Sequence, residues 1–169
     1  MNISVIAAVS RHGVLGSGNK LLWHISEDFK WFRAKTKGSI VVMGRKTYDS
    51  IGKPLVKREN YILTQNKNYI APDKTNVLYS VDDFLDTFRN TEDEIFIIGG
   101  GKIYKQIFPY INKMYLTIID ITVDGDVFFP KINFKQWEHI YYRESSDNNY
   151  EYTFNIFERK SPGFGKDEM

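Results

Sequence analysis

The sequence contains no cysteine, which excludes a disulfide scaffold and any thiolate nucleophile or metal ligand. It has no apolar run near the roughly 18 residues that a membrane-crossing helix needs. The opening MNISVIAAVS is too short for a secretory leader and lacks its basic start, so it reads as a strand. No GxxxxGKS or GxxxxGKT loop occurs, which disfavours a nucleoside kinase. No basic stripe is interleaved with aromatics, which disfavours nucleic acid as a partner.

What remains is ordinary soluble-protein material. The 169 residues are 42% hydrophobic and 26% charged, enough to bury a full core. Length argues for one domain over residues 1–160, with 161–169 (SPGFGKDEM) an aperiodic, mobile tail. Charge is uneven. Residues 1–67 carry 12 Lys and Arg against 4 acids, and residues 68–169 carry 11 against 17. Such asymmetry suits a basic region that meets an anion, although a solvated surface explains it too.

Strand-length apolar runs recur as ISVIAAV, SIVVM, NYILT, NVLY, EIFIIG and MYLTIIDI. Several are continuous, as in strands covered on both faces. Helical stretches separate them: Glu27 to Lys35, a segment after Gly44, VDDFLDTF capped by Ser80, and KIYKQIF after three glycines. That alternation predicts a parallel sheet with crossovers. WEHIYYRES and YEYTFNIFER, joined by DNN, predict an antiparallel pair at the end.

Three glycine-bearing loops stand out. IFIIGGGKIY runs a buried strand into a helix, and bare backbone at a helix start suits a phosphate. It is not the dinucleotide fingerprint, because Tyr104 stands where the third glycine belongs. In IVVMGRKTY the strand is expected to end at Met43, Gly44 to turn, and Arg45, Lys46 and Thr47 to open a helix. Cations oppose the dipole there by roughly 0.3–1 kcal/mol each, a conflict that an intervening anion removes. SRHGVLGSGNKLLW is a long connection of the kind that forms lids. Tight turns or surface loops account for each of the three alone.

LLWHISEDFKWF poses a sharper problem. Ser26 reads as an N-cap, with Phe29 and Phe32 starting an apolar ridge. Asp28 falls on that same inner side. An acid in the first turn also complements the dipole, so Asp28 alone decides nothing.

Taken together and in order, ISVIAAVSRHGVLG, LLWHISEDFKWFRAKT, VVMGRKTYDSIGKPL, KRENYILT, IFIIGGGKIY, MYLTIID and DGDVFFP resemble the dihydrofolate reductases, over roughly residues 2 to 160. The resemblance implies an α/β fold, a mixed and mostly parallel eight-stranded sheet flanked by helices with an antiparallel C-terminal edge. It implies NADPH-dependent reduction of 7,8-dihydrofolate to tetrahydrofolate, which feeds one-carbon metabolism and thymidylate synthesis. No metal is required, and diaminopyrimidine antifolates become expected inhibitors. A cytoplasmic monomer is the family's usual bacterial form.

Site residues follow from the same resemblance. Asp28 would grip the pterin's 2-amino group and adjacent ring nitrogen and promote its protonation through water. Trp23 would hold that water, and Thr117 would bond both Asp28 and the pterin. Ile6 and Ile98 would wall the pterin edge. Phe32, Ile51 and Leu55 would sandwich the rings, with Leu21, Phe29 and Tyr104 also on the substrate side. Arg58 would clamp the α-carboxylate, with Lys53 nearby. For the cofactor, Ala8, Val14, Leu15, Gly16, Ser17, Gly18, Asn19 and Lys20 would contact the nicotinamide-ribose end. Gly44, Arg45, Lys46 and Thr47 would meet phosphates, and Arg45, Thr64 and Gln65 the 2′-phosphate. Ile98, Gly99, Gly100, Gly101, Lys102, Ile103 and Tyr104 would cradle the pyrophosphate, with a cis bond between the first two glycines. Leu22, Ser26 and Val56 stand where the family often has proline, which leaves those loops freer. A reductase of the same fold acting on a riboflavin precursor, and a non-catalytic nucleotide-binding module, are the rival readings.

Overall fold

The computed structural model describes residues 1–16 and 23–160. Its elements are β1 (Asn2–Ser10), β2 (Val14–Gly16), α1 (Ser26–Thr36), β3 (Ile40–Gly44), α2 (Arg45–Ile51), β4 (Glu59–Leu63), β5 (Asn76–Leu78), α3 (Val81–Thr87), β6 (Glu94–Ile97), α4 (Gly101–Ile107), β7 (Lys113–Ile119), β8 (Val127–Phe128), β9 (Trp137–Ser146) and β10 (Glu151–Arg159). The main sheet has eight strands in the order β5-β4-β3-β6-β1-β7-β10-β9. Pairing from β5 through β7 is parallel, and β10 runs antiparallel to both β7 and β9.

The continuous apolar runs are explained by two cores, one on each face. Ile40 and Val42 of β3 join one cluster, and Val41 and Met43 the other. Likewise Ile95 and Ile97 face away from Phe96, and Met114 and Leu116 away from Tyr115. A period of two therefore sends Ile6, Ala8, Ile98 and Thr117 to a single face, the one that also receives Trp31 of α1. Each such aliphatic residue contributes roughly 1.5–3 kcal/mol on burial.

Three local expectations need correction. The N-cap of α1 is Ile25, not Ser26, and no side-chain cap bond forms. Ile25 is buried and its carbonyl accepts from the amides of Asp28 and Phe29, so packing of Ile25 sets the helix entry. Phe29 does not start a buried ridge either; the helix buries Trp31 and Thr36. Gly44 is the last residue of β3 rather than a turn, with φ −76°. Glycine serves there for close approach: its amide donates to Gly99 O at 2.8 Å, and a Cβ would lie 3.0 Å from Ile103 Cγ1. Ser80 does cap α3, accepting from the Asp83 amide. Part of the long loop after β1 is itself a strand, since β2 pairs with β8.

Candidate active site

Asp28 lies in the first turn of α1 and is not exposed. Thr117 Oγ1, on β7, donates to its Oδ1 at 2.6 Å. Burial pushes the carboxyl up from its ordinary value, and the Thr117 hydrogen bond opposes this only in part. No cation pairs with it among the described residues. Desolvation with one neutral donor leaves a strong acceptor still short of partners. Tyr104 lies near enough to feel this charge; its hydroxyl is fully buried, donates to Ile6 O at 2.8 Å and is raised mainly by burial. Ala8 is the register partner of Thr117, so β1 and β7 present Ile6, Ala8 and Thr117 side by side.

The apolar surroundings are incompletely covered. Phe29 and Ile51 are each 36% exposed, while Phe32, Leu55 and Ile98 are half-buried. Trp23 is buried in the same cluster. Asn60 ties the loop after α2 to β4: its side chain accepts from the Leu55 amide and donates to Leu55 O, both at 2.9 Å. Arg58 then binds the far end of α1. Its Nε donates to Thr36 Oγ1 (2.9 Å), Nη2 to Arg33 O (3.1 Å) and Nη1 to Val56 O (2.7 Å). All three acceptors are neutral, so the guanidinium is fixed without its charge being compensated. Lys53 is exposed in the same loop.

A second group of residues gathers at the carboxyl ends of β3 and β6, the usual ligand end of a parallel sheet. The Gly44–Gly99 hydrogen bond joins the end of β3 to the glycine run after β6, and the Gly99–Gly100 peptide is cis. A Cβ on Gly100 would lie 3.4 Å from Thr47 Oγ1, and one on Gly101 2.6 Å from Val127 Cγ1. Neither α2 nor α4 has a side-chain N-cap, and Arg45, Lys46 and Lys102 are exposed beside them. Ile103 is buried. Because Gly44 registers with Leu63, Thr64 and the exposed Gln65 follow alongside Arg45. The Thr64 hydroxyl accepts from the Asn66 amide. Val14 and Gly16 are buried and Leu15 half-buried in β2. Ser17, Gly18, Asn19, Lys20, Leu21 and Leu22 lie outside the described residues, as does 161–169.

A family model for dihydrofolate reductase matches residues 2–159. The chain belongs to the dihydrofolate reductase family. The dihydrofolate reductase of Haemophilus influenzae is 40% identical over 167 residues, covering 95% of this chain and 100% of that protein. That of Staphylococcus haemolyticus is 38% identical over 162 residues, with 94% and 96% covered. A dihydrofolate reductase from Enterococcus faecalis, solved with NADP(H) and RAB-propyl, matches with a TM-score of 0.86 at 31% identity, over 95% of this chain and 97% of that one. The expected dihydrofolate reductase fold, with its antiparallel C-terminal edge, is the fold observed.

Four residues near the site were not singled out from the sequence. Thr36 and Asn60 anchor Arg58 and its loop, and a polar residue inside the strand run NYILT was an available signal for Asn60. Glu27 and Arg143 pair at 2.9 Å across 116 positions of sequence, and no local pattern announces such a contact.

Proposed function

We infer that this chain reduces 7,8-dihydrofolate to tetrahydrofolate with NADPH, in the service of one-carbon metabolism and thymidylate synthesis. The observation that carries the reading is Asp28: a desolvated carboxyl, held among the described residues by Thr117 alone, at the edge of a partly uncovered apolar slot. A flat heterocycle with adjacent amino and ring N–H donors supplies what that acceptor lacks, in a bidentate charge-assisted pair. Thr117 adds a second bond to the same edge. Phe32, Ile51 and Leu55 hold the rings, with Ile6, Ile98, Phe29 and Tyr104 completing the slot; Leu21, outside the described residues, is assigned to the substrate side from the sequence alone. Arg58 takes the substrate's carboxylate through the N–H groups its anchors leave free, and Lys53 adds diffuse attraction.

The residues fit the cofactor. Two adjoining glycine-bearing strand ends with uncapped helix starts, a hydroxyl and three exposed cations suit a pyrophosphate. Arg45, Thr64 and Gln65 together offer the donors that a 2′-phosphate requires. Ala8, Val14, Leu15 and Gly16 line the nicotinamide end, and the segment 17–20 is assigned to it with them. Bound NADPH supplies the hydride. The chain aligns the two rings, excludes water through the β1–α1 loop, and raises the substrate's ring-nitrogen basicity through Asp28. The proton arrives by way of a water held beside Trp23.

No described helix is long and apolar enough to cross a membrane, and the lack of cysteine suits a reducing cytoplasm. A diaminopyrimidine should compete at Asp28, because its amino groups copy the donors recognised there.

The test is loss of NADPH absorbance on adding dihydrofolate, with and without a diaminopyrimidine. Rapid, inhibitable loss supports the reading. Binding of NADPH without oxidation would favour the nucleotide-binding module, and oxidation by a riboflavin precursor alone would favour the rival reductase.

A further inference from the structure

Glu27 immediately precedes Asp28, yet it faces a different part of the molecule. Its carboxylate accepts from Arg143 Nη1 at 2.9 Å, from Tyr152 OH at 2.9 Å and from the Ser145 hydroxyl. These donors, Ser145 foremost, hold its carboxyl below the usual range against the opposing effect of burial. Arg143 and Ser145 lie on β9 and Tyr152 on β10.

The strand register gives this contact its significance. Phe154 of β10 is the partner of Thr117 on one side and of Arg143 on the other. Thr117, Phe154 and Arg143 therefore form one row across three neighbouring strands. Thr117 donates to Asp28 and Arg143 to Glu27. Two consecutive residues of α1 are thus tied to the opposite ends of one row, about 9.6 Å apart at ordinary strand spacing. Phe154 between them packs against Trp31 (ring centroids 4.8 Å) and under the Arg143 guanidinium (4.5 Å). Trp31 also stacks on Tyr141 of β9 at 5.7 Å.

Glu27 and Trp31 are four residues apart and make a stripe that docks on the hairpin. Asp28 and Phe32, also four apart, make the stripe toward the cleft. The helix cannot roll about its axis without moving both stripes.

We propose that Glu27 is a positioning residue for the reaction: its contacts with Arg143, Ser145 and Tyr152 fix the roll of α1 and so hold Asp28 against Thr117. This rests on the assignment of Asp28 as the acid that grips the heterocycle. Loosening the first turn frees Asp28 to leave Thr117 and to gain water, which undoes the desolvation that raises its carboxyl. The groups facing Glu27 are Arg143 from β9, Tyr152 from β10, and His24, Lys30 and Asp147 around the adjoining groove. Facing Asp28 is Thr117 from β7, with Tyr104 of α4, bonded to Ile6 O, close enough to feel its charge.

The experiment compares wild type, Glu27→Gln and Arg143→Gln in steady-state kinetics for both substrates across pH. Asp86→Asn on α3, which removes an exposed ion pair with Arg89 just past the helix, serves as the control with unchanged activity. Glu27→Gln and Arg143→Gln should each lose about tenfold in kcat/KM for dihydrofolate, since a displacement near 1 Å can cost about 100-fold. Their KM for NADPH should not change, and the ionisation of Asp28 in the pH–rate profile should move to lower pH. A purely structural clamp would lower the melting temperature and leave the dihydrofolate KM and the profile alone; that result overturns the proposal. If Glu27→Gln does not fold, Tyr152→Phe and Ser145→Ala, each deleting one bond, are read by the same criteria. A wild type that fails to oxidise NADPH with dihydrofolate rejects the reaction assignment and the proposal with it. An active wild type with indifferent variants rejects the proposal alone.

Discussion

At the residue scale, the proposed chemistry turns on a single carboxyl, that of Asp28. Asp28→Asn should lower kcat/KM at neutral pH by at least about 100-fold, the range of a lost acid–base contribution, with NADPH affinity intact by fluorescence titration. The same substitution should stabilise the ligand-free protein. Burial raises the folded-state pKa of Asp28 above its unfolded value, so its contribution is most favourable in acid and is lost as pH rises through the folded pKa. The melting temperature of Asp28→Asn should exceed that of wild type at neutral pH and converge with it in acid. Arg58→Gln should cost about 2 kcal/mol of dihydrofolate binding, or about 30-fold in KM, and little for a pteridine without a carboxylate. The acid's inward side was legible in its spacing from Trp31 and Phe32, but its role came only from the resemblance, because a first-turn acid also complements the dipole. The anchoring of Arg58 was not, because carbonyl acceptors on Arg33 and Val56 leave no mark in side-chain identity.

At the scale of elements, the central strands coincide with the apolar runs, which were readable because each such strand is covered on both faces. The β2–β8 pair was invisible: Val127–Phe128 is two residues long and owes its place to Gly125. A Cβ on Gly125 would lie 2.5 Å from Val14 Cγ1 and 2.6 Å from Gly16 O, and backbone cannot yield as a side chain does. Gly125→Ala should therefore part β2 from β8. The expected cost is about 1–3 kcal/mol in urea unfolding, together with weaker NADPH binding, since β2 borders the proposed nicotinamide end. The N-terminus of α1 was misread for a related reason: Ser26 has capping chemistry, but burial of Ile25 outweighs one hydroxyl hydrogen bond.

For the whole molecule, four of the twelve cations in residues 1–67 now have a location. Arg45, Lys46, Lys53 and Arg58 flank the two proposed ligand sites, while the acidic remainder keeps the net charge at only +2. Raising ionic strength should weaken NADPH, which carries the greater anionic charge, more than dihydrofolate. Titrations at two salt concentrations check this, given a Debye length of about 10 Å at 0.1 M.

Helix α1 carries Asp28 in its first turn, and in its last the Thr36 and Arg33 groups that seat Arg58. Its rise of about 1.5 Å per residue separates Asp28 from Thr36 by about 12 Å along the axis. In the proposed site the helix thereby works as a ruler, measuring a ligand from its ring edge to its acidic tail. A folate analogue with a shortened or lengthened spacer can satisfy one end of that ruler but not both.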